Sequence, residues 1–180
     1  LRSYQNRDIL TGLLNLDSFK TKYKKIIPQE FGKSILALEY FDINNFGYIN
    51  ENYGYQIGDK ILKYLAYDIM DSEYSLLGCR LYSDFFLLLR KGESIQKIRD
   101  DVLEGQQKFI NLHNHQYPSS GLSVSTGIYY IENENIDVDI AIENATLAWK
   151  HAKKVHKSQL EVFDSTLKEQ RSEEQRIVGE

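Results

Sequence analysis

Residues 76–90, LLGCRLYSDFFLLLR, hold two apolar runs with only Ser83-Asp84 between them. Runs joined that tightly can pair only as an antiparallel hairpin, and both are apolar enough to lie inside a sheet. The hairpin spans Leu76 to about Tyr82 and Phe85 to Arg90. It carries an aspartate at its tip, flanked by Tyr82 and Phe85. Whatever fold this chain adopts must be built around that pair of strands.

The remaining elements alternate in type. Asp17-Ser18 opens a helix whose Phe19, Tyr23, Ile26 and Ile27 recur at spacings of three and four, with Pro28 after the run. Ser34 to Tyr40, SILALEY, is short and dense in apolar residues, as a buried central strand is. Residues 44–55 are rich in Asn, Gly and Tyr. An amphipathic helix follows from Asp59 to about Asp71, with Ile61, Leu62, Leu65 and Ile69 on one face. After the hairpin, Gly92-Glu93-Ser94 starts a helix running to about His113, and NHQYPSSG reads as a loop. Leu122 to Tyr130 alternates as a strand, Asp137 to about Val155 is helical, and LEVF at 160–163 is a last short strand. The charged tail, 165–180, is helix-prone with little apolar surface to bury. This order predicts an α+β fold of ferredoxin-like kind: a central mixed, mainly antiparallel five-stranded sheet with helices packed around it.

Composition narrows the function classes. The chain has 180 residues, 42% hydrophobic and 27% charged, which suits one soluble domain with a real core. A net charge of −4 argues against a nucleic-acid partner, which calls for a basic patch. The single cysteine, Cys79, lies in an apolar run and reads as a buried hydrophobe, and with the four histidines it gives no zinc spacing. No apolar run approaches the ~20 residues that cross a bilayer. The expected location is the cytoplasm, with any membrane anchor in other segments of a longer protein.

Asp42 falls near the end of the first strand and Asp84 at the hairpin tip. If that strand lies beside the hairpin, both carboxylates reach one point at the sheet edge, and two carboxylates with a backbone carbonyl can hold Mg²⁺. Spacing alone favours the plainer reading, since aspartates at such positions commonly form turns or cap helices. Four segments in order resemble the GGDEF (diguanylate cyclase) family. They are DILTGLLN at 8–15, FDINNFGYINENYGYQIGDKIL at 41–62, RLYSDFF at 80–86, and SVSTGIYYI with ATLAWKHAKKVHKS towards the end. The resemblance covers about residues 6–163.

The resemblance implies a nucleotide cyclase-like form of that fold, a domain at 1–163 and, at 164–180, a linker helix towards an EAL-like domain. It implies metal contacts from Asp42, the Ile43 carbonyl and Asp84. It implies guanine contacts from Asn50 and Asp59, and a phosphate contact from Lys153. Chemically this is sensible: a carboxylate accepts from guanine N1–H and N2–H₂, and an amide can donate to N3 or O6. From the residues alone, Asn50 is equally a turn former and Asp59 a cap for a helix starting near Lys60. The family joins two GTP molecules into cyclic di-GMP with metal assistance, so the implied ligands are GTP and Mg²⁺.

The departures are concentrated where the chemistry is. The signature's two glycines are Tyr82 and Ser83, and its glutamate is Phe85, which offers no donor, acceptor or charge. The family's phosphate-facing lysine is Gly47, the second aspartate of that block is Asn44 and its histidine is Tyr55. The terminal glycine-arginine is His156-Lys157. At the positions of the family's product-inhibition motif stand Glu73 and Leu76, so no cyclic di-GMP feedback site is expected. The reading that follows is a catalytically impaired domain, with catalysis lost at Phe85, serving as a regulatory, GTP-binding or dimerising module. A cyclase of low activity and a purely structural oligomerisation domain are the alternatives.

Overall fold

The computed structural model describes residues 4–154 and 159–179, so the His156-Lys157 pair lies outside the described residues. Its elements in chain order are a short 3₁₀ turn at Tyr4–Asn6, α1 (Leu16–Glu30), β1 (Ile35–Asn44), α2 (Phe46–Tyr53), α3 (Tyr55–Met70), β2 (Ser75–Tyr82), β3 (Phe85–Gly92), α4 (Ile95–Gln116), β4 (Ser123–Tyr130), α5 (Val138–Lys154), β5 (Leu160–Val162) and α6 (Ser165–Val178). The sheet order is β2-β3-β1-β4-β5. Every neighbouring pair is antiparallel except β4 with β5, which are parallel and joined through α5. The α+β, cyclase-like sheet expected from the sequence is the one observed.

Central β1 is buried on both faces, and its alternation assigns two layers. Leu36, Leu38 and Tyr40 pack with Phe19, Tyr23 and Ile27 of α1 and with Ala141 and Ala145 of α5. Phe41 and Ile43 pack with Ile61, Leu62 and Leu65 of α3 and Phe109 of α4. Phe41 also stacks on Phe86 of β3, its register partner, with ring centroids 5.5 Å apart. Between these apolar clusters on the second face, Glu39 is almost wholly buried and paired with Arg90, Nε 3.1 Å from Oε1. Burial pushes the Glu39 carboxyl up, and Arg90 offsets only part of that.

Helix starts follow their caps. The Asn15 side chain accepts from the Ser18 N–H at 3.0 Å, and Ser94 accepts from the Lys97 N–H at 3.0 Å. Four expectations are corrected. First, α1 runs through Pro28 to Glu30 and is capped by Phe31, whose N–H bonds the Ile27 carbonyl at 2.9 Å. Second, the Asn-, Gly- and Tyr-rich stretch contains α2, so Asn50 is a helical residue and not a turn former. Third, α3 begins at Tyr55, and Asp59 lies in its second turn, where it caps nothing. Fourth, β1 extends to Asn44 and carries Asp42 inside the strand.

Cys79 is fully buried and its thiol is pushed up to about 12 by that burial, as a structural cysteine should be. Helix α6 lies along α5 through Lys154–Glu174 (3.1 Å) and Arg171–Glu143 (3.7 Å), and no α6 residue is buried. Among the described residues, no helix is long and apolar enough to cross a membrane.

Candidate functional site

The β2–β3 turn brings Asp84 under the end of β1. The Ile43 N–H donates to Asp84 Oδ2 at 3.1 Å, and Ser83 Oγ donates to Oδ1 at 3.1 Å. Ser83 has φ 47°, the left-handed region that favours glycine, and it occupies a glycine position of the signature. Burial raises the Asp84 carboxyl above its ordinary range, the neighbouring Asp42 charge adds to this, and the Ile43 and Ser83 donors offset part of it.

Asp42 is also buried, and its two oxygens are taken from α5. Trp149 Nε1 donates to Oδ1 at 2.8 Å, and Lys153 Nζ lies 3.0 Å from Oδ2. Lys153 also bonds Asn44 Oδ1, and the Asn44 amide donates to Ser123 Oγ and Ser125 Oγ of β4, each at 2.8 Å. Trp149 and Lys153 are one helical turn apart and so share a face.

This placement depends on Gly127. A Cβ there would lie 2.2 Å from the Ala145 carbonyl oxygen and 2.2 Å from the Trp149 backbone nitrogen. Helix α5 therefore rests directly on the β4 backbone, close enough for its side chains to reach Asp42.

Phe85 does more than omit a carboxylate. Its ring lies 6.0 Å from Tyr40, 5.0 Å from Tyr82 and 5.6 Å from Trp149 between centroids. Tyr40 and Trp149 meet edge-on at 5.1 Å. Such pairs contribute about 0.5–1.5 kcal/mol each beyond area burial, so the ring is locked beside Asp42. Tyr82, at the other glycine position of the signature, is 63% exposed. The bulk beside the acidic pair comes from Phe85 and Trp149.

The hairpin is also tied to the chain's beginning. Asp8 Oδ2 accepts from Thr11 N at 2.8 Å and Thr11 Oγ1 at 2.6 Å, and Asp8 Oδ1 lies 3.1 Å from Arg80 Nη1. Arg80 Nε in turn donates to the Ser83 carbonyl at 2.8 Å. The DILTG motif thus braces the turn that presents Asp84.

Away from this cluster, Asn50 packs its Oδ1 against Gly58, where a Cβ would lie 2.1 Å from that oxygen. The oxygen is buried and has no hydrogen-bond donor among the described residues. Asp59, next to Gly58 in the chain, is exposed. The structure therefore brings Asp42, Ile43, Asp84 and Lys153 into one cluster and places Asn50 beside the Gly58-Asp59 turn of α3. Sequence reasoning missed Trp149 as a partner of Asp42, and its only signal was its spacing of four residues from Lys153.

The carboxylates do not fit a divalent ion as they stand. All four oxygens carry a protein donor, and one donor is a cation. Among the described residues, no group of three or more His, Cys, Asp or Glu side chains could hold a metal.

The class of protein now follows from comparison. The family description "Diguanylate cyclase, GGDEF domain" matches residues 5–159, and the chain belongs to that family. It is similar to the biofilm architecture maintenance protein MbaA of Vibrio cholerae, 24% identical over 179 residues that cover 92% of this chain and 22% of MbaA. The chain thus spans about a fifth of that relative's length. Two solved structures establish the fold. The coiled coil and GGDEF domain of DgcB from Caulobacter crescentus, in complex with c-di-GMP, superposes with TM-score 0.70 at 18% identity, covering 89% of this chain and 87% of that one. The GGDEF domain of TpbB (YfiN) from Pseudomonas aeruginosa superposes with TM-score 0.68 at 24% identity, covering 97% and 99%.

Proposed function

We propose that this domain acts in cyclic di-GMP signalling as a regulatory module that binds a guanine nucleotide without converting it. The observation that carries this reading is Phe85, packed against Tyr40 and Trp149 in the place of the signature's glutamate. Its ring cannot accept the proton of an attacking hydroxyl. Loss of one preorganised polar group costs about two to three orders of magnitude in rate, and here Gly47 also replaces the phosphate-facing lysine.

Binding groups remain. The Asn50 side-chain N–H₂ can donate to guanine N3 or O6, and Asp59 offers an exposed carboxylate on the neighbouring turn of α3. Lys153 supplies the cation for the phosphates. Family members use Mg²⁺ with GTP, whereas the cluster in this chain already contains its own positive charge.

Two further expectations belong to the same proposal. No cyclic di-GMP feedback site is present at Glu73 and Leu76. The adjoining cavity of about 390 Å³ is lined by Asp68, Asp71, Asp101 and Glu104 against only Arg90 and Lys108, which opposes an anionic dinucleotide. The 164–180 segment, with α6 at Ser165–Val178, serves in this reading as a linker towards an EAL-like neighbour, through which nucleotide occupancy biases that neighbour's states. The charged, unburied α6 supports this role. A homodimer is compatible with it.

The test is calorimetric titration with GTP, with ATP as control, alongside a sensitive assay for cyclic di-GMP. Saturable micromolar GTP binding, lost in Asn50→Ala and Asp59→Ala, with no product formed, supports the proposal. Accumulating product would instead make the domain a slow cyclase. Absence of heat with either nucleotide would leave a structural oligomerisation domain.

A further inference from the structure

Asp42 and Asp84 form a pair of buried carboxylates whose charge has to be balanced, and the balancing group is in the chain itself. Lys153 Nζ contacts Asp42 Oδ2 at 3.0 Å and bonds Asn44 Oδ1 as well. It lies over the Trp149 ring, 5.7 Å from the centroid, which adds a cation–π contact. The lysine is thus held by two oxygens and one aromatic face, unlike a freely moving surface ammonium.

We propose that the ammonium of Lys153 is the resident cation of this acidic site, so that the site excludes a divalent metal and engages phosphate without one. Three features support this. A metal ion on Asp42 would be set against the ammonium at contact range, where like charges repel strongly because the site is partly dry. The oxygens facing that position are already engaged, Asp42 Oδ1 by Trp149 and both Asp84 oxygens by Ile43 N and Ser83 Oγ. The signature's glutamate, which would be a third carboxylate beside Asp42 and Asp84, is Phe85, so no further anionic ligand compensates for the dehydration that Mg²⁺ resists. Asn44, in place of the block's second aspartate, removes another negative charge and becomes a neutral acceptor for the same ammonium. The substitutions at Phe85 and Asn44 both lower the negative charge around Lys153.

Nucleotide binding belongs to the function proposed above. The exclusion of divalent metal does not depend on it and is tested in its absence. Trp149 is the chain's only tryptophan and touches Asp42 directly, so its fluorescence reports on that carboxylate.

The experiment titrates the nucleotide-free protein with Mg²⁺ and with Mn²⁺, reading tryptophan fluorescence and thermal stability. The wild type should show no saturable response into the millimolar range. Lys153→Met, or Lys153→Gln if the first variant does not fold, should gain saturable binding at least tenfold tighter, and adding Asp42→Asn should remove it. Saturable submillimolar binding by the wild type would overturn the inference. So would a lysine variant that folds and still ignores both ions. A second arm compares GTP affinity with Mg²⁺ and with EDTA, where values within about twofold are expected and a tenfold loss in EDTA overturns the inference. Failure of GTP to bind in either condition would count against the proposed function alone, and the metal titration would still decide this one.

Discussion

Trp149 donates its indole N–H to Asp42 at 2.8 Å across a sequence separation of 107 residues, joining the middle of α5 to the end of the central strand. The bond aims Asp42, fixes one wall of the aromatic cluster, and sets Lys153 one turn further along the same helix face. Replacing Trp149 with phenylalanine keeps most of the ring and deletes the donor. Hydrogen bonds to charged groups contribute about 1.5–3 kcal/mol, so Trp149→Phe should lose about 2 kcal/mol in urea denaturation. A cost within error of zero would mean that water replaces the indole freely.

Gly127 should tolerate no side chain. The obstacles to a Cβ are the Ala145 carbonyl and the Trp149 backbone, neither of which can rotate away. Overpacking of this kind costs about 1–3 kcal/mol or more. Gly127→Ala should therefore be destabilised by about 3 kcal/mol and shift the Trp149 emission, because α5 must move off β4. A stable variant with unchanged emission would contradict the direct contact.

Glu39 and Arg90 should be costly to separate and cheap to remove together. Arg90→Met leaves the buried Glu39 carboxylate without its counter-charge, for an expected loss of about 3 kcal/mol. Adding Glu39→Leu should recover most of that loss, and a double-mutant cycle by denaturant unfolding measures the coupling. Additive costs would show that the pair is not a unit.

Asp84→Asn should stabilise the protein at neutral pH. Burial holds the Asp84 carboxyl above its ordinary range in the folded state, with the Asp42 charge adding to it. A carboxyl raised in this way binds a proton more readily folded than unfolded. Its contribution to stability therefore falls as pH rises from the ordinary carboxylate range through the raised folded value. The asparagine variant lacks that penalty and can still accept from Ile43 N. Its melting temperature should exceed the wild type's at neutral pH, with the gap closing as the solution is acidified. A gap that widens in acid would reverse the sign argued here.

Much of this was legible along the chain because the physics involved is local. Dense apolar runs place β1 and β3, alternation places β4, helical spacing gives α3 and α5, and the tight Ser83-Asp84 connection dictates the hairpin. The loss of the signature glutamate at Phe85 is visible in the residues themselves. Helix α2 was not legible. Its sequence, FGYINENY, is poor in strong helix formers, and it is held by Phe46 and Ile49 buried in the α3 cluster. The start of α3 was misplaced for a related reason, since no side chain caps it.

What the sequence determined by itself was the set of elements, their faces and the missing chemistry. What only the tertiary structure decided was which groups balance one another: Lys153 and Trp149 on Asp42, Arg90 on Glu39, Arg80 between Asp8 and the hairpin turn. Those partners are set by strand register and by the approach of α5 over Gly127. A buried charge must find its partner across the packed layers, and no local pattern records which residue that will be.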